Sequence, residues 1–263
     1  RETDTMDTLV DPSWYWTRYL DPKHETLPLA KAENDAWMPV DLYVGGIEHA
    51  TMHLIYARYF FKVLRDLGMA SGDEPFTKLI CQGMVLKDGS KMSKSKGNVV
   101  DPDEVLSQYG ADALRLFMTF AAPIEKELDW TGFEGIEGAT RFLKRVSKLV
   151  DDHAVTAAAL PAKDALSKEE KALLLKLNQT IQRLTGDLET RYSFNTVVSG
   201  LMELSNAIGE LPANAESGAP HRAAVMQHAL ERFVLMLSPV APHAAEALWA
   251  QLGGQGLVMK AAW

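Results

Sequence analysis

Apolar residues recur at helical spacing between Ile47 and Leu67, where Ala50, Leu54, Ala57, Phe61 and Leu64 form one face and Arg58, Lys62 and Arg65 the other. This predicts an amphipathic helix with Gly68 as its C-cap. Short apolar runs flank it, Val40 to Val44 closed by Gly45-Gly46 and about Thr77 to Leu86, and both read as strands. Strand, helix and strand joined by a crossover of this length predict a parallel βαβ unit with its site at the carboxyl ends of the strands. Gly45-Gly46 and a lysine-rich loop from Lys91 to Asn98 fall at such ends.

Before this unit, Arg1 to about Met38 has no sustained periodicity, but Trp14, Tyr15, Trp16, Tyr19 and Trp37 give it aromatic surface that must pack on something. After Asp101-Pro102 the pattern turns helical and stays so. Asp101 or Asp103 can start a helix, and Ala111 to Phe120 forms another. Thr131-Gly-Phe-Glu134 reads as a capping box opening a long helix to about Asp151, and Ser167-Lys-Glu-Glu170 as another opening the next. Helices are also expected over about Phe194 to Ile208, Ala223 to Leu237 and Pro242 to Leu252, with 154–162 and 212–220 as connecting loops. The expected fold is α/β followed by all-α: half of a Rossmann-like parallel-sheet domain over 1–120, then an antiparallel helical bundle over 121–263.

Composition narrows the classes. With 263 residues, 47% hydrophobic and 24% charged, the chain has the make-up of a globular protein. Its one cysteine, Cys81, lies in the apolar run Leu79-Ile-Cys81, excludes an internal disulfide and suits a reducing cytoplasm. No apolar run reaches the roughly eighteen residues that would span a bilayer, since Ser238, Pro239, Pro242, His243 and Glu246 interrupt the best candidate. A net charge of −8 confines any RNA contact to local basic patches. The chain starts at Arg1 rather than Met and stops at Trp263 just after Leu257-Val-Met259, so it is expected to be a piece of something longer.

The residues best equipped for chemistry are Lys91-Met-Ser-Lys-Ser-Lys-Gly-Asn98, where Lys91, Lys94 and Lys96 alternate with the hydroxyls of Ser90, Ser93 and Ser95 between Gly89 and Gly97. Such a loop can hold a polyphosphate, and it can equally be a solvated basic turn. It is not a Walker loop, because no Gly-x-x-x-x-Gly-Lys-Ser/Thr spacing occurs. Gly45-Gly46, followed by Ile47-Glu48-His49 where a strand meets a helix, lets a sugar or phosphate approach the backbone, or serves as a tight turn. His49 and His53 share a helix face. They suit a substrate pocket above the strand end, a hydrogen-bonded core pair or a metal, although no third metal ligand is evident. Arg141, Lys144, Arg145 and Lys148 fall at i, i+3, i+4 and i+7 with no acidic residue from Thr140 to Val150. That face reads as a nucleic-acid backbone contact, with a solvated surface as the alternative.

Together these motifs resemble the class I aminoacyl-tRNA synthetases, and specifically the bacterial-type leucyl-tRNA synthetase family, from about Glu2 to Trp249. The lysine loop with Asn98-Val-Val-Asp-Pro102 carries the class. Glu2-Thr-Asp-Thr-Met-Asp-Thr8, Ser13-Trp-Tyr15, Gly45-Gly-Ile-Glu-His-Ala50 with His53, Gln82-Gly-Met-Val-Leu86, Tyr109-Gly-Ala-Asp112 and Arg141-Phe-Leu-Lys-Arg145 match the family.

The resemblance implies a ligase that forms leucyl-adenylate from leucine and ATP, with Mg2+ accompanying the ATP, and then passes leucine to tRNA(Leu). It implies that Lys91, Lys94, Ser93 and Ser95 stabilise the pyrophosphate, that Gly45, Gly46, Glu48 and His49 hold ATP, and that Met84 and Val85 border the adenine. Tyr15, Tyr43 and His53 would line the leucine pocket, and Arg141, Lys144, Arg145 and Lys148 would bind the tRNA. No resident metal is implied. The family's other catalytic motif, His-Ile-Gly-His, and its editing domain are absent from the sequence, so the partner expected besides leucine, ATP and tRNA is the missing amino-terminal half of the same enzyme, and the fragment alone is expected to be inactive. Leu9 stands where the family usually has Phe, and Pro12 where it usually has Ser. A different class I synthetase of the isoleucine, valine and methionine group, or a non-catalytic tRNA-binding module that kept the loop as an RNA clamp, are the alternatives.

Overall fold

The computed structural model describes residues 3–153, 155–156, 158–211 and 221–263. Glu2, positions 154 and 157 of one expected loop and all of the 212–220 loop lie outside the described residues. The chain divides into two compact units, Arg1–Met84 with Glu125–Glu127, and Val85–Ile124 with Leu128–Trp263.

The first unit opens on a 3-10 turn at Asp11–Ser13, a short helix α1 (Tyr15–Arg18) and α2 (Lys31–Trp37). It then forms β1 (Tyr43–Gly46), a 3-10 turn over Ile47–Thr51, α3 (His53–Asp66) and β2 (Leu79–Gln82). β1 and β2 pair in parallel, from Tyr43 opposite Leu79 to Gly46 opposite Gln82, so the expected βαβ unit is present. α3 buries Leu54, Ala57, Phe61 and Leu64 of the stripe foreseen from its period, whereas Ala50, expected on the same face, is exposed and lies before the helix. Gly68 follows it at φ 73°, and its amide donates to the Arg65 carbonyl at 2.8 Å. The amino-terminal aromatics pack within the unit: Trp14 stacks on Phe60, and Trp16 meets Tyr43 and Phe76 edge-on.

Two expectations need correction here. The helix begins at His53 rather than Ile47, because Met52 (φ −127°, ψ −78°) breaks the winding and the preceding residues form the tighter 3-10 turn. Three residues per turn and 3.6 differ too little over five positions for a hydrophobic pattern to separate them. The second strand also divides, into β2 and β3 (Val85–Lys87). Gly83 stands at the break, where a Cβ would fall 2.0 Å from the Lys126 carbonyl oxygen.

In the second unit β3 pairs antiparallel with β4 (Ser90–Lys91). α4 (Pro102–Tyr109) and α5 (Ala111–Phe120) come next, then β5 (Leu128–Trp130), which lies parallel to β3. The bundle follows as α6 (Glu134–Asp151), α7 (Lys168–Gly186), a π-helical turn at Asp187–Arg191, α8 (Phe194–Glu210), α9 (Arg222–Leu237) and α10 (Pro242–Gln251). One apolar core centred on Val146, Leu177, Leu201, Leu230 and Phe233 joins these helices. Asp101 caps α4 by accepting from the Asp103 amide at 3.0 Å, and Ser167 and Glu170 form the expected reciprocal capping box on α7.

The box expected at Thr131 does not form. α6 starts at Glu134 with Phe133 at its N-cap and no side-chain cap. Its entry is set instead by Gly132 at φ 127° and by Phe133 packed edge-on against the buried Trp130.

Candidate functional site

A cavity of about 440 Å³ lies in the first unit where β1 gives way to the 3-10 turn. Tyr15, Tyr43, Gly45, Gly46, His49 and His53 all line it, so the fold collects on one wall residues that are 38 positions apart in sequence at the extremes. The phenol oxygens of Tyr15 and Tyr43 are 3.0 Å apart, and that of Tyr43 is 2.8 Å from Nε2 of His53. The His49 ring meets the His53 ring edge-on at 5.9 Å. Burial, and then the neighbouring His49, push the His53 pKa down, while burial and then the Tyr15 hydrogen bond push that of Tyr43 up. The wall therefore presents neutral hydrogen-bonding groups against the apolar Leu9, Leu54 and Leu79.

Gly45 leaves open space where a side chain would stand, and the Glu48 carboxylate folds back over Gly46, with Oε2 only 2.1 Å from the position a Cβ would take. Any other residue at Gly46 would expel that carboxylate. Met84 and Val85 are half-buried and do not line this cavity. Gln82 does line it, although no spacing signal in the sequence marks it. Cys81 is half-buried.

The lysine loop belongs to the second unit. Lys94–Lys96 form a 3-10 turn closed by Gly97 at φ 66°. The Ser93 hydroxyl accepts from the Lys96 amide at 3.3 Å and lies 2.7 Å from that of Ser95. Asn98 ties the ends together: its Oδ1 accepts from the Ser93 amide at 2.8 Å, and its Nδ2 donates to the Lys91 carbonyl at 3.3 Å. Lys91, Lys94 and Lys96 are left with exposed side chains on a closed turn. The role of Asn98 as the tie across the loop was not legible from its position in the motif.

On α6, Arg141, Lys144, Arg145 and Lys148 are all exposed, while Ile136, Ala139, Phe142, Val146 and Val150 are buried. No acidic residue lies within this stretch, yet Glu137 and Asp152, beyond its ends, reach Arg141 at 3.8 Å and Lys148 at 2.9 Å. Exposed pairs of this kind are screened by solvent and contribute little, so a phosphate can displace them. Arg145 donates to Ser205 at 3.4 Å and lies over the Phe142 ring at 5.7 Å. Among the described residues no group of three or more His, Cys, Asp or Glu converges on a metal position.

Residues 1–131 match the model for tRNA synthetases class I (I, L, M and V), and residues 170–263 match that for the anticodon-binding domain of tRNA ligase. Leucine–tRNA ligases of Geobacter sp. (strain M21) and Thioalkalivibrio sulfidiphilus (strain HL-EbGR7) are each 51% identical over the whole of this chain, which spans 32% of either. The ternary LeuRS–tRNA–LeuAMS complex of Agrobacterium radiobacter K84 superposes with a TM-score of 0.86 at 37% identity, covering 98% of this chain and 33% of that one. Methionyl-tRNA synthetase of Mycobacterium tuberculosis, in complex with methionyl-adenylate, shares the fold over 83% of this chain and 45% of its own, with a TM-score of 0.63 at 20% identity. The chain belongs to the class I tRNA synthetases of the isoleucine, leucine, methionine and valine group, and within them to the leucine–tRNA ligase family.

Proposed function

We propose that this chain supplies part of the site at which leucine is activated by ATP and transferred to tRNA(Leu), acting with the remaining part of such an enzyme. The observation that carries the reading is the cavity at the end of β1, where apolar walls and the neutral Tyr15–Tyr43–His53 hydrogen-bonded chain adjoin the Gly45-Gly46 backbone. Such a wall suits an aliphatic side chain beside a nucleotide. In this reading Tyr15, Tyr43 and His53 border the leucine side chain. Gly45, Gly46, Glu48 and His49 hold the adenosine, with Glu48 accepting from ribose hydroxyls, and Met84 and Val85 border the adenine.

Lys91 and Lys94, with the hydroxyls of Ser93 and Ser95, meet the charge that builds on pyrophosphate as the leucine carboxylate attacks the α-phosphate. Donors that reach that charge only in the transition state lower the barrier, typically by about 3 to 4 kcal/mol each. Magnesium arrives on the phosphates of ATP, since that ion is usually bound through substrate oxygens and one or two carboxylates. Arg141, Lys144, Arg145 and Lys148 contact the tRNA backbone. Residues 1–120 form the catalytic portion and 121–263 the tRNA-binding bundle, and the enzyme works in the cytoplasm.

The test is Lys91→Ala and Lys94→Ala in the reconstituted enzyme. Loss of leucyl-adenylate formation with tRNA affinity intact supports the reading. Weakened tRNA binding with no change in adenylate formation would assign the loop to RNA clamping instead.

A further inference from the structure

A second cavity, of about 500 Å³, opens in the second unit between α5, α6 and α8. Its lining is almost wholly apolar: Phe117 and Phe120 of α5 and Phe142 of α6 wall it, and Gly138 leaves it deep, because a Cβ there would meet only an Arg141 guanidinium nitrogen, at 3.8 Å. Two cations, Arg141 and Arg145, line the same cavity, and among the described residues no carboxylate does. Arg145 is already laid over the Phe142 ring, and the carboxylate nearest Arg141 is the exposed Glu137 at 3.8 Å. Phe120 is 44% exposed, so an aromatic edge stands open to solvent at the groove.

Aromatic walls beside exposed guanidinium groups match one chemistry closely, a nucleotide turned out of its stack, with the base between rings and the phosphate on the arginines. An apolar protein segment would fill the walls but leave Arg141 with only the distant, exposed Glu137 and bring nothing to Arg145. We infer that this groove takes an unstacked nucleotide of the bound tRNA, its base against Phe120 and Phe117 and its phosphate on Arg141 and Arg145. This rests on the reading of α6 as a tRNA contact and deepens it: α6 would grip one particular nucleotide rather than only track the backbone.

The probe is fluorescently labelled tRNA(Leu) transcript titrated with the full chain, at several salt concentrations. Gly138→Met fills the groove while improving helix propensity, and Phe120→Ala removes an exposed wall, so neither endangers the fold. Each is expected to weaken binding about tenfold with the salt dependence unchanged. Arg141→Ala with Arg145→Ala is expected to weaken binding and reduce the slope of log affinity against log salt by about 2. If the arginine variant binds more weakly but both groove variants bind as wild type, the nucleotide pocket is overturned and the groove belongs to a protein segment. If the arginine variant itself binds as wild type, the reading of α6 as a tRNA contact fails, and the inference with it.

Discussion

The phenol oxygen of Tyr43 on β1 lies 2.8 Å from Nε2 of His53 at the first turn of α3. That bond spans the break at Met52 and fixes how the cavity wall faces its contents. Tyr43→Phe removes it together with the bond to Tyr15, while keeping the ring stacked on Phe76 at 4.0 Å. The expected cost is about 1 to 3 kcal/mol of stability, read by chemical denaturation, and in the reconstituted enzyme a rise in KM for leucine larger than any fall in kcat.

His53 also sets a pH dependence. Its Nδ1 is buried without a partner, and its pKa is lowered, first by burial and then by His49. Protonation is therefore easier in the unfolded chain, whose histidines titrate near 6.5. The unfolded state binds more protons as pH falls below that value, so stability is full above it and declines on acidification towards the folded pKa. His228 shifts the same way, first through burial and then through Arg232. The melting temperature should fall between about pH 7 and pH 5, and His53→Gln with His228→Gln should flatten that fall.

A separate decline belongs to lower pH. Arg58, through a two-point hydrogen bond at 2.7 Å, holds the Glu74 carboxyl down at about 2, against an ordinary value of 4.5. The stabilisation is present above the unfolded value and is lost as pH drops through that interval. The Glu74 side chain is 42% exposed, so the effect is small, and Glu74→Gln should remove it without touching the histidine-dependent step.

Gly83 is constrained by close approach. A methyl group would fall 2.0 Å from the Lys126 carbonyl oxygen, which is backbone and cannot swing aside. Gly83→Ala should therefore force the strand ending at β2 away from 125–127 and cost more than about 2 kcal/mol, measured as a drop in the denaturation midpoint.

The buried Asp112 accepts from Arg115 at 2.9 Å and from the Ala244 amide at 2.7 Å, and lies 3.0 Å from Nδ1 of His243. It so joins the start of α5 to the first turn of α10. Asp112→Ala should cost about 2 to 4 kcal/mol, and loosen α10 selectively in hydrogen exchange.

The parts of this fold legible in the sequence were those written in a period. The stripe Leu54, Ala57, Phe61, Leu64 announced α3, and two strands with a crossover announced their parallel pairing. Breaks inside a periodic run were not legible: Met52 and Gly83 interrupt patterns that continue past them, and the reason at Gly83 is a carbonyl 43 positions away. The Thr131 capping box satisfied the local rule and lost to tertiary packing by Trp130 and Phe133. The π-helical turn at Asp187–Arg191, where Asp187 is buried between Arg183, Arg191 and Thr196, carried no pattern at all. At the candidate site, the glycines and lysines could be singled out from residue chemistry, whereas Tyr15 and Tyr43 came only from family resemblance. Their meeting with His53 depends on strand geometry that no spacing encodes.

The most direct test of the proposed function is leucine-dependent ATP–pyrophosphate exchange by this chain, alone and mixed with an amino-terminal half of a leucine–tRNA ligase carrying the His-Ile-Gly-His motif. Exchange is expected only in the mixture, with leucine but not isoleucine or valine, and lost on Lys94→Ala. A mixture that co-elutes as a complex and still shows no exchange would contradict the account.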